Sequence, residues 1–272
     1  AFLTVDGAFS AGGGTSDRTV LLDAGNVFPQ GNENFVTFNG TSTFNEKAVL
    51  DSNLNSTINF NQNATFNEGS RFDRSFGSTL NIASGKKLII NGGFYDDTIN
   101  TGQTLSPGAG IEIRGAFGGF NVDNRFDIGT GSLLVELNGY YNSPDGAAVT
   151  KWAALASEVM TGTLRSGGQV KIGDLHIAER GTASVTIQSG GHLKPRNLTT
   201  GGQNGASANL FFDGGLATVA GNVNLGQGTF FTINDPLGDG LGQTGNVGIV
   251  GNLNLTGNAF LSTTGADPGL NM

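Results

Sequence analysis

The chain has no cysteine, 2 histidines and 1 tryptophan in 272 residues, and only 13% of its residues are charged. Without thiols there is neither a disulfide framework nor a thiolate metal site, so stability must come from packing and hydrogen bonds. No apolar run reaches the roughly 18 residues that a membrane span requires. No charged start followed by an apolar middle marks a signal peptide. Ala1 opens directly into the alternating Phe2, Leu3 and Val5, which suggests a processed form whose export signal has been removed. Cations are the scarcer sign, with 14 Lys and Arg against 22 Asp and Glu and a net charge of −8. Such a surface repels phosphates, and no basic run or aromatic platform offsets it, so nucleic acid is not expected as a partner.

Glycine is abundant instead, at 46 residues. Each glycine inside a regular element costs roughly 0.5 to 1 kcal/mol of backbone entropy, so this many fit a chain with frequent tight corners. A flexible linker does not fit, because Phe, Leu, Ile and Val recur at regular spacing throughout.

That spacing is a repeat of 22 residues. Phe38 recurs as Phe60, Thr43 as Thr65, Phe44 as Phe66, Asn45 as Asn67, Glu46 as Glu68 and Leu50 as Phe72. On a third pass Asp51 becomes Asp73, Leu54 becomes Phe76, and Ser56 to Phe60 becomes Ser78 to Ile82, with Phe66 followed by Leu88. Leu22 lies one period before Phe44, Phe28 one before Leu50, and Phe94 one after Phe72. A unit this short cannot bury its own apolar face and must stack on a neighbour. Within it apolar residues alternate with Asn, Thr and Ser, as in Ile58-Asn59-Phe60-Asn61, the signature of a strand with one buried face. There is no room for a strand, a crossover helix and a return. The expected fold is therefore all-β, a right-handed parallel β-helix (solenoid) with coils of about 22 to 25 residues. Phe38 over Phe60, and Phe44 over Phe66 over Leu88, would be columns inside the tube. Asn39 over Asn61 and Asn45 over Asn67 would be polar columns whose amides satisfy one another.

Three regions are expected. Residues 1–143 form an N-terminal solenoid half and 165–272 a C-terminal half with a slightly longer beat. Residues 144–164 form a helical connector or cap, with one short helix near 147–160, because Val149, Trp152, Leu155 and Val159 recur every three or four residues in an Ala-rich run. In the C-terminal half, Asp174-Leu175-His176 is echoed by Asn197-Leu198-Thr199, Ala183 to Ile187 by Ala208 to Phe212, and Gly221 to Leu225 by Gly251 to Leu255. Asn234 to Gly240 read as an inserted loop at a corner. Phrases such as GDLHIAERGTASVTIQSGGHL and GNVNLGQG, within about residues 165–262, resemble the Gly-rich β-strand repeats of autotransporter passengers. They are also similar to secreted repeat proteins with PEP-CTERM-type sorting tails, although neither a translocating barrel nor a sorting tail is visible. The resemblance implies an extracellular parallel β-helix with structural or adhesive work and supplies no catalytic residues.

Candidate chemistry is sparse. Gly240 to Gly245 match G-x-G-x-x-G, but a Pro-Gly loop precedes them and β-alternation follows, where a dinucleotide site needs a strand and then a helix. His176 and His192 fall on neighbouring strands of one coil, and Glu179 is the nearest third ligand, yet alternation makes both histidines solvent-facing strand residues. Asp96 and Asp97 beside Tyr95, and Asp123 with Asp127, are the carboxylate pairs to weigh for glycosidic chemistry. Tyr140 and Tyr141 are thin support for sugar stacking, since periodic Phe belongs to the core. Asn234, Asp235 and Asp239 offer oxygens to Ca²⁺, which turn propensity alone also explains. Sequons at Asn39, Asn55, Asn63, Asn197 and Asn254 follow from an Asn/Thr-rich composition. No G-x-S-x-G occurs. The sequence therefore points to a non-enzymatic extracellular or cell-surface structural protein, with no catalytic, cofactor or metal residues assigned. A homo-oligomer or filament is the expected assembly and a surface polysaccharide a further partner. The competing reading is a carbohydrate-binding or polysaccharide-cleaving solenoid.

Overall fold

Alternation extends each short segment with one face buried, and the Gly and Asn residues between segments turn the chain through a corner. The computed structural model describes residues 2–13, 20–23, 34–52, 56–74, 78–97, 103–115, 119–122, 126–143, 149–203, 205–235, 246–265 and 269–271. It is an all-β parallel solenoid. One coil contributes Ser56–Phe60, Ala64–Asn67 and Arg71–Arg74, one strand to each of three ladders. These ladders hold 4, 11 and 14 strands, and a 2-stranded sheet pairs Gln103–Thr104 with Phe126–Asp127. Strands one coil apart are parallel, as successive passes of one winding must be.

The tube is filled by the residues that the repeat brings into phase. Phe38 lies over Phe60 with ring centroids 5.2 Å apart, and Phe44 over Phe66 at 4.3 Å with rings within 4° of parallel. Asp51 over Asp73 and Thr57 to Phe60 against Thr79 to Ile82 also keep the expected register. Farther along, Tyr95, Phe120 and Tyr141 stack at 4.2 and 5.3 Å.

The period is not constant, and the departures lie at corners. Phe66 is followed by Ile90, while Leu88 stands over Ala64. Three residues join Phe60 to Ala64 but five join Ile82 to Leu88, through a turn at Ser84 and Gly85 where Gly85 has φ +73°. The next corner is one residue shorter, so Tyr95 rather than Phe94 covers Phe72. Phe94 is half-buried on the outer side, 5.6 Å beneath the Arg71 guanidinium. Near the start, Leu22 pairs with Leu50 rather than preceding Phe44. Phe28, Leu54 and Phe76 lie outside the described residues. In the C-terminal half the expected pairs hold: Asp174 with Asn197, Ala183 to Ile187 with Ala208 to Phe212, and Val223 with Leu253. The inserted loop beyond Asp235 lies outside the described residues.

The helix expected near 147–160 does not form, and no helix occurs among the described residues. Thr150–Trp152 and Val159–Leu164 are strands, the second inserted in the 11-stranded ladder between Gly131–Glu136 and Thr182–Gln188. The four residues with helical spacing share no face: Trp152 is fully buried, whereas Val149, Leu155 and Val159 are exposed. Two neighbouring strand edges offer backbone partners here, and a helix would leave both unpaired. Ala153, at φ +54°, and the turn between Leu155 and Glu158 bend the chain back into the ladder.

Corners repeat as columns too. Lys47, Gly69 and Gly92 all have positive φ, of 67°, 76° and 76°. At Gly69 a Cβ would also meet Glu46 Cγ at 2.8 Å, so both conformation and space call for glycine.

Candidate functional site

Stacking in register puts like side chains one strand apart on the outer faces, and a carboxamide both donates and accepts. Asn61 therefore donates to Asn39 at 2.7 Å, and Asn39 donates to Asp6 at 2.6 Å. Asn91 donates to Asn67 at 2.8 Å and Asn67 to Asn45 at 2.9 Å. Asn81, Asn59 and Thr37 form a third such row. Charged residues are matched across coils in the same way. Arg71 meets Asp96 at 2.9 Å, Lys87 meets Glu112 at 3.1 Å, Arg165 meets Glu136 at 2.7 Å, Lys151 meets Glu179 at 2.9 Å and Arg196 meets Asp174 at 2.7 Å. Hydrogen bonds from Arg196 hold the Asp174 carboxyl below the usual carboxylate range, and Lys151 does the same for Glu179.

The carboxylates considered for catalysis do not converge. Asp96 and Asp97 are consecutive in one strand and so face opposite sides. Asp96 is engaged by Arg71 outside, while Asp97 is buried inside the tube against Arg74 Nη1 at 2.9 Å, with the Tyr95 hydroxyl at 3.5 Å. Arg74 also donates to the Ser78 carbonyl from Nε and Nη2. Asp127 accepts the Lys151 backbone N–H at 2.7 Å, and its proposed companion Asp123 lies outside the described residues. An open groove of about 510 Å³ between Thr104 to Pro107 and Leu155 to Glu158 holds one carboxylate, Glu158, and that one caps the Leu155 N–H at 2.7 Å. A two-carboxylate mechanism has no pair to use among these residues.

His176 and His192 occupy adjacent coils of one ladder, not strands of the same coil, and both are half-buried. His176 Nε2 lies 3.1 Å from the Gly201 carbonyl oxygen, and His192 Nε2 lies 2.9 Å from Thr218 Oγ1. Burial, then the nearby Lys194, pushes the His192 pKa down to about 4. Glu179 is committed to Lys151, and no group of three metal-ligating side chains occurs among the described residues. Asn234 is bound to Asp213 and Thr264. The Asp235 side chain, Asp239 and Gly240 to Gly245 lie outside the description.

Aromatic placement differs from the expectation in both directions. Tyr141 is a core residue whose buried hydroxyl has no hydrogen-bond partner among the described residues, and desolvation drives its pKa upward. Tyr140 bonds to Asn142 at 3.3 Å. Phe2, Phe230 and Phe260 are exposed rather than internal, and the last two rings lie 6.2 Å apart on neighbouring coils. Phe230 and Phe260 each precede an inward residue, Phe231 or Leu261, so strand alternation carries the signal that repeat counting overlooked. Of the sequons, Asn39, Asn197 and Asn254 donate to neighbours on adjacent coils and Asn63 accepts the Lys87 N–H, while Asn55 lies outside the description.

No protein-family model and no curated protein matches the chain. One solved structure is similar, a TibC-catalysed hyperglycosylated TibA55-350 fragment, at 16% identity over 98% of this chain and 100% of that one, with a TM-score of 0.27. Among the described residues no helix is long and apolar enough to cross a membrane.

Proposed function

We propose that the chain is a non-enzymatic extracellular or cell-surface structural protein that associates with further copies of itself along the solenoid axis. The supporting observation is the pair of apolar strand edges. Phe2–Val5 pairs on one side with Asn34–Phe38 and exposes Phe2 and Leu3, while near the other end Val250, Leu255 and Phe260 are exposed. A coil that exposes apolar side chains along the solenoid axis is a template for another coil of the same spacing. Inside the chain the same edge is covered by the next coil, so a second copy is the occupant whose spacing already matches. Sedimentation velocity and negative-stain microscopy across a concentration series test this. Rod-like oligomers that Phe2→Lys with Leu3→Lys dissolves are expected; monomers alone at high concentration contradict it.

A second reading, contact with a surface polysaccharide, is favoured by the exposed Phe230 and Phe260 rings, whose faces suit the apolar side of a sugar. A glycan array with Phe230→Ser as comparison tests it, and unchanged binding by that variant excludes these rings.

A further inference from the structure

Opposite charges are set against each other on adjacent coils at five places on the outer surface, from Arg71 with Asp96 to Arg196 with Asp174. Like charges also fall in register at Asp51, Asp73 and Asp96, where Arg71 bridges Asp73 and Asp96, but one cationic cross-strand pair has no such counter-charge between its members among the described residues. Lys171 and Lys194 are direct partners on the parallel strands Gln169–Ile177 and His192–Thr200. They line one open groove of about 500 Å³ with Arg196, Thr218, Pro195 and Ala220, and no carboxylate is part of that lining. The Lys194 ammonium is held by a neutral group, Gln169 Oε1, at 2.9 Å. Lys171 is exposed and has no carboxylate partner among the described residues. Arg196 is fixed beside them by Asp174 through two guanidinium bonds of 3.0 and 2.7 Å. Like charges facing each other across strands destabilise a sheet. A chain with 14 cations in all and a net charge of −8 nevertheless gathers three of them in one groove. An oxyanion between the two ammonium groups turns that repulsion into two charge-assisted hydrogen bonds.

We propose that the Lys171–Lys194 groove binds the carboxylate or sulfate groups of an acidic polysaccharide, an inference that rests on the polysaccharide reading and names its charge and its place. The groove offers one dense cationic spot on an acidic surface. The hydroxyls of a sugar chain meet neutral partners beside the two cations: Asn142 is the strand neighbour of Lys171, and Thr218 shares the groove.

The test is isothermal titration of the full chain with polygalacturonate, dextran sulfate and neutral dextran at one ionic strength. The variants are Lys171→Gln, Lys194→Gln and, as a charge-matched control, Lys87→Gln. Binding of one or both acidic polymers, weakened about tenfold by either groove variant and not by the control, is expected. The two acidic arms report whether carboxylate or sulfate is preferred. Equal weakening by all three variants would mean diffuse attraction and overturn the site. Binding of neutral dextran alone would overturn the charged groove while leaving the polysaccharide reading intact, and binding of none would remove both. Far-UV circular dichroism and melting of each variant identify any loss that comes from unfolding.

Discussion

Phe66→Ala removes the centre of the aromatic column. Phe66 has no exposed surface, stacks on Phe44 at 4.3 Å and on Phe72 at 5.4 Å, and meets the edge of Phe60 at 6.5 Å. Burying such a side chain is worth about 1.5 to 3 kcal/mol. A void of about 100 Å³ left by the ring adds about 2.4 kcal/mol at about 24 cal/mol per Å³ if the site stays open. Partial collapse is limited, because Ala64 and Leu88 on the same ladder are held by strand pairing. The net loss should be about 3 to 5 kcal/mol, in the range of other buried Phe truncations. Guanidinium unfolding followed by far-UV circular dichroism measures it, with the slope compared against the parent to detect uncoupling of the coils. Phe230→Ala, at a ring that is half-exposed, serves as control and should cost about 1 kcal/mol or less. A loss under about 1 kcal/mol at Phe66 would mean that its ring meets water, and the stacked-column argument would fail.

Three further perturbations probe the polar parts. Arg74→Met removes the charge partner of the buried Asp97 and should cost about 3 to 5 kcal/mol, whereas pairing it with Asp97→Leu should recover most of that in the same denaturation assay. Asn67→Ala deletes a donor bond to Asn45 and an acceptor bond from Asn91 on a partly solvated face, so a loss of about 1 to 2 kcal/mol is expected from chemical unfolding. For His192, the folded-state pKa lies below the unfolded value, so the unfolded chain takes up the proton first and stability falls as pH drops from about 6.5 to about 4. The depressed Asp174 and Glu179 add losses in the same direction as pH falls further through the carboxylate range. His192→Gln should flatten the upper part of that acid limb in melting curves, and an NMR titration midpoint at or above 6.5 would contradict the assignment.

The repeat made the first coils legible because their corners have equal length, so identical side chains recur at identical phase and both the Phe columns and the Asn rows follow. Past Ile82 the corners change by one or two residues, and counting 22 then assigns Leu88 and Phe94 to places held by Ile90 and Tyr95. Pairing edges decide such positions, and a single sequence does not display them. The misread helix has the same origin: Ala-rich spacing is local, whereas the open edges of Gly131–Glu136 and Thr182–Gln188 are tertiary. Arg74 and Asp97 were within reach, since Arg74 follows the inward Phe72 by two residues and must share its face. Polar identity masked that phase. The Lys171 and Lys194 pairing follows from the register that Asp174 and Asn197 already set, but its meaning emerged only beside the matched pairs elsewhere.

Because the chain contains no native cysteine, paired cysteine substitutions read the stacking register directly. Thr65 faces Ile89 on the neighbouring parallel strand, at the roughly 4.8 Å spacing that a disulfide tolerates, while Lys87 lies two residues out of step. Oxidation should cross-link Thr65→Cys with Ile89→Cys rapidly and within one chain, and leave Thr65→Cys with Lys87→Cys largely reduced. Preferential cross-linking of the second pair would contradict this register, and cross-linking of neither would contradict the coil-on-coil arrangement.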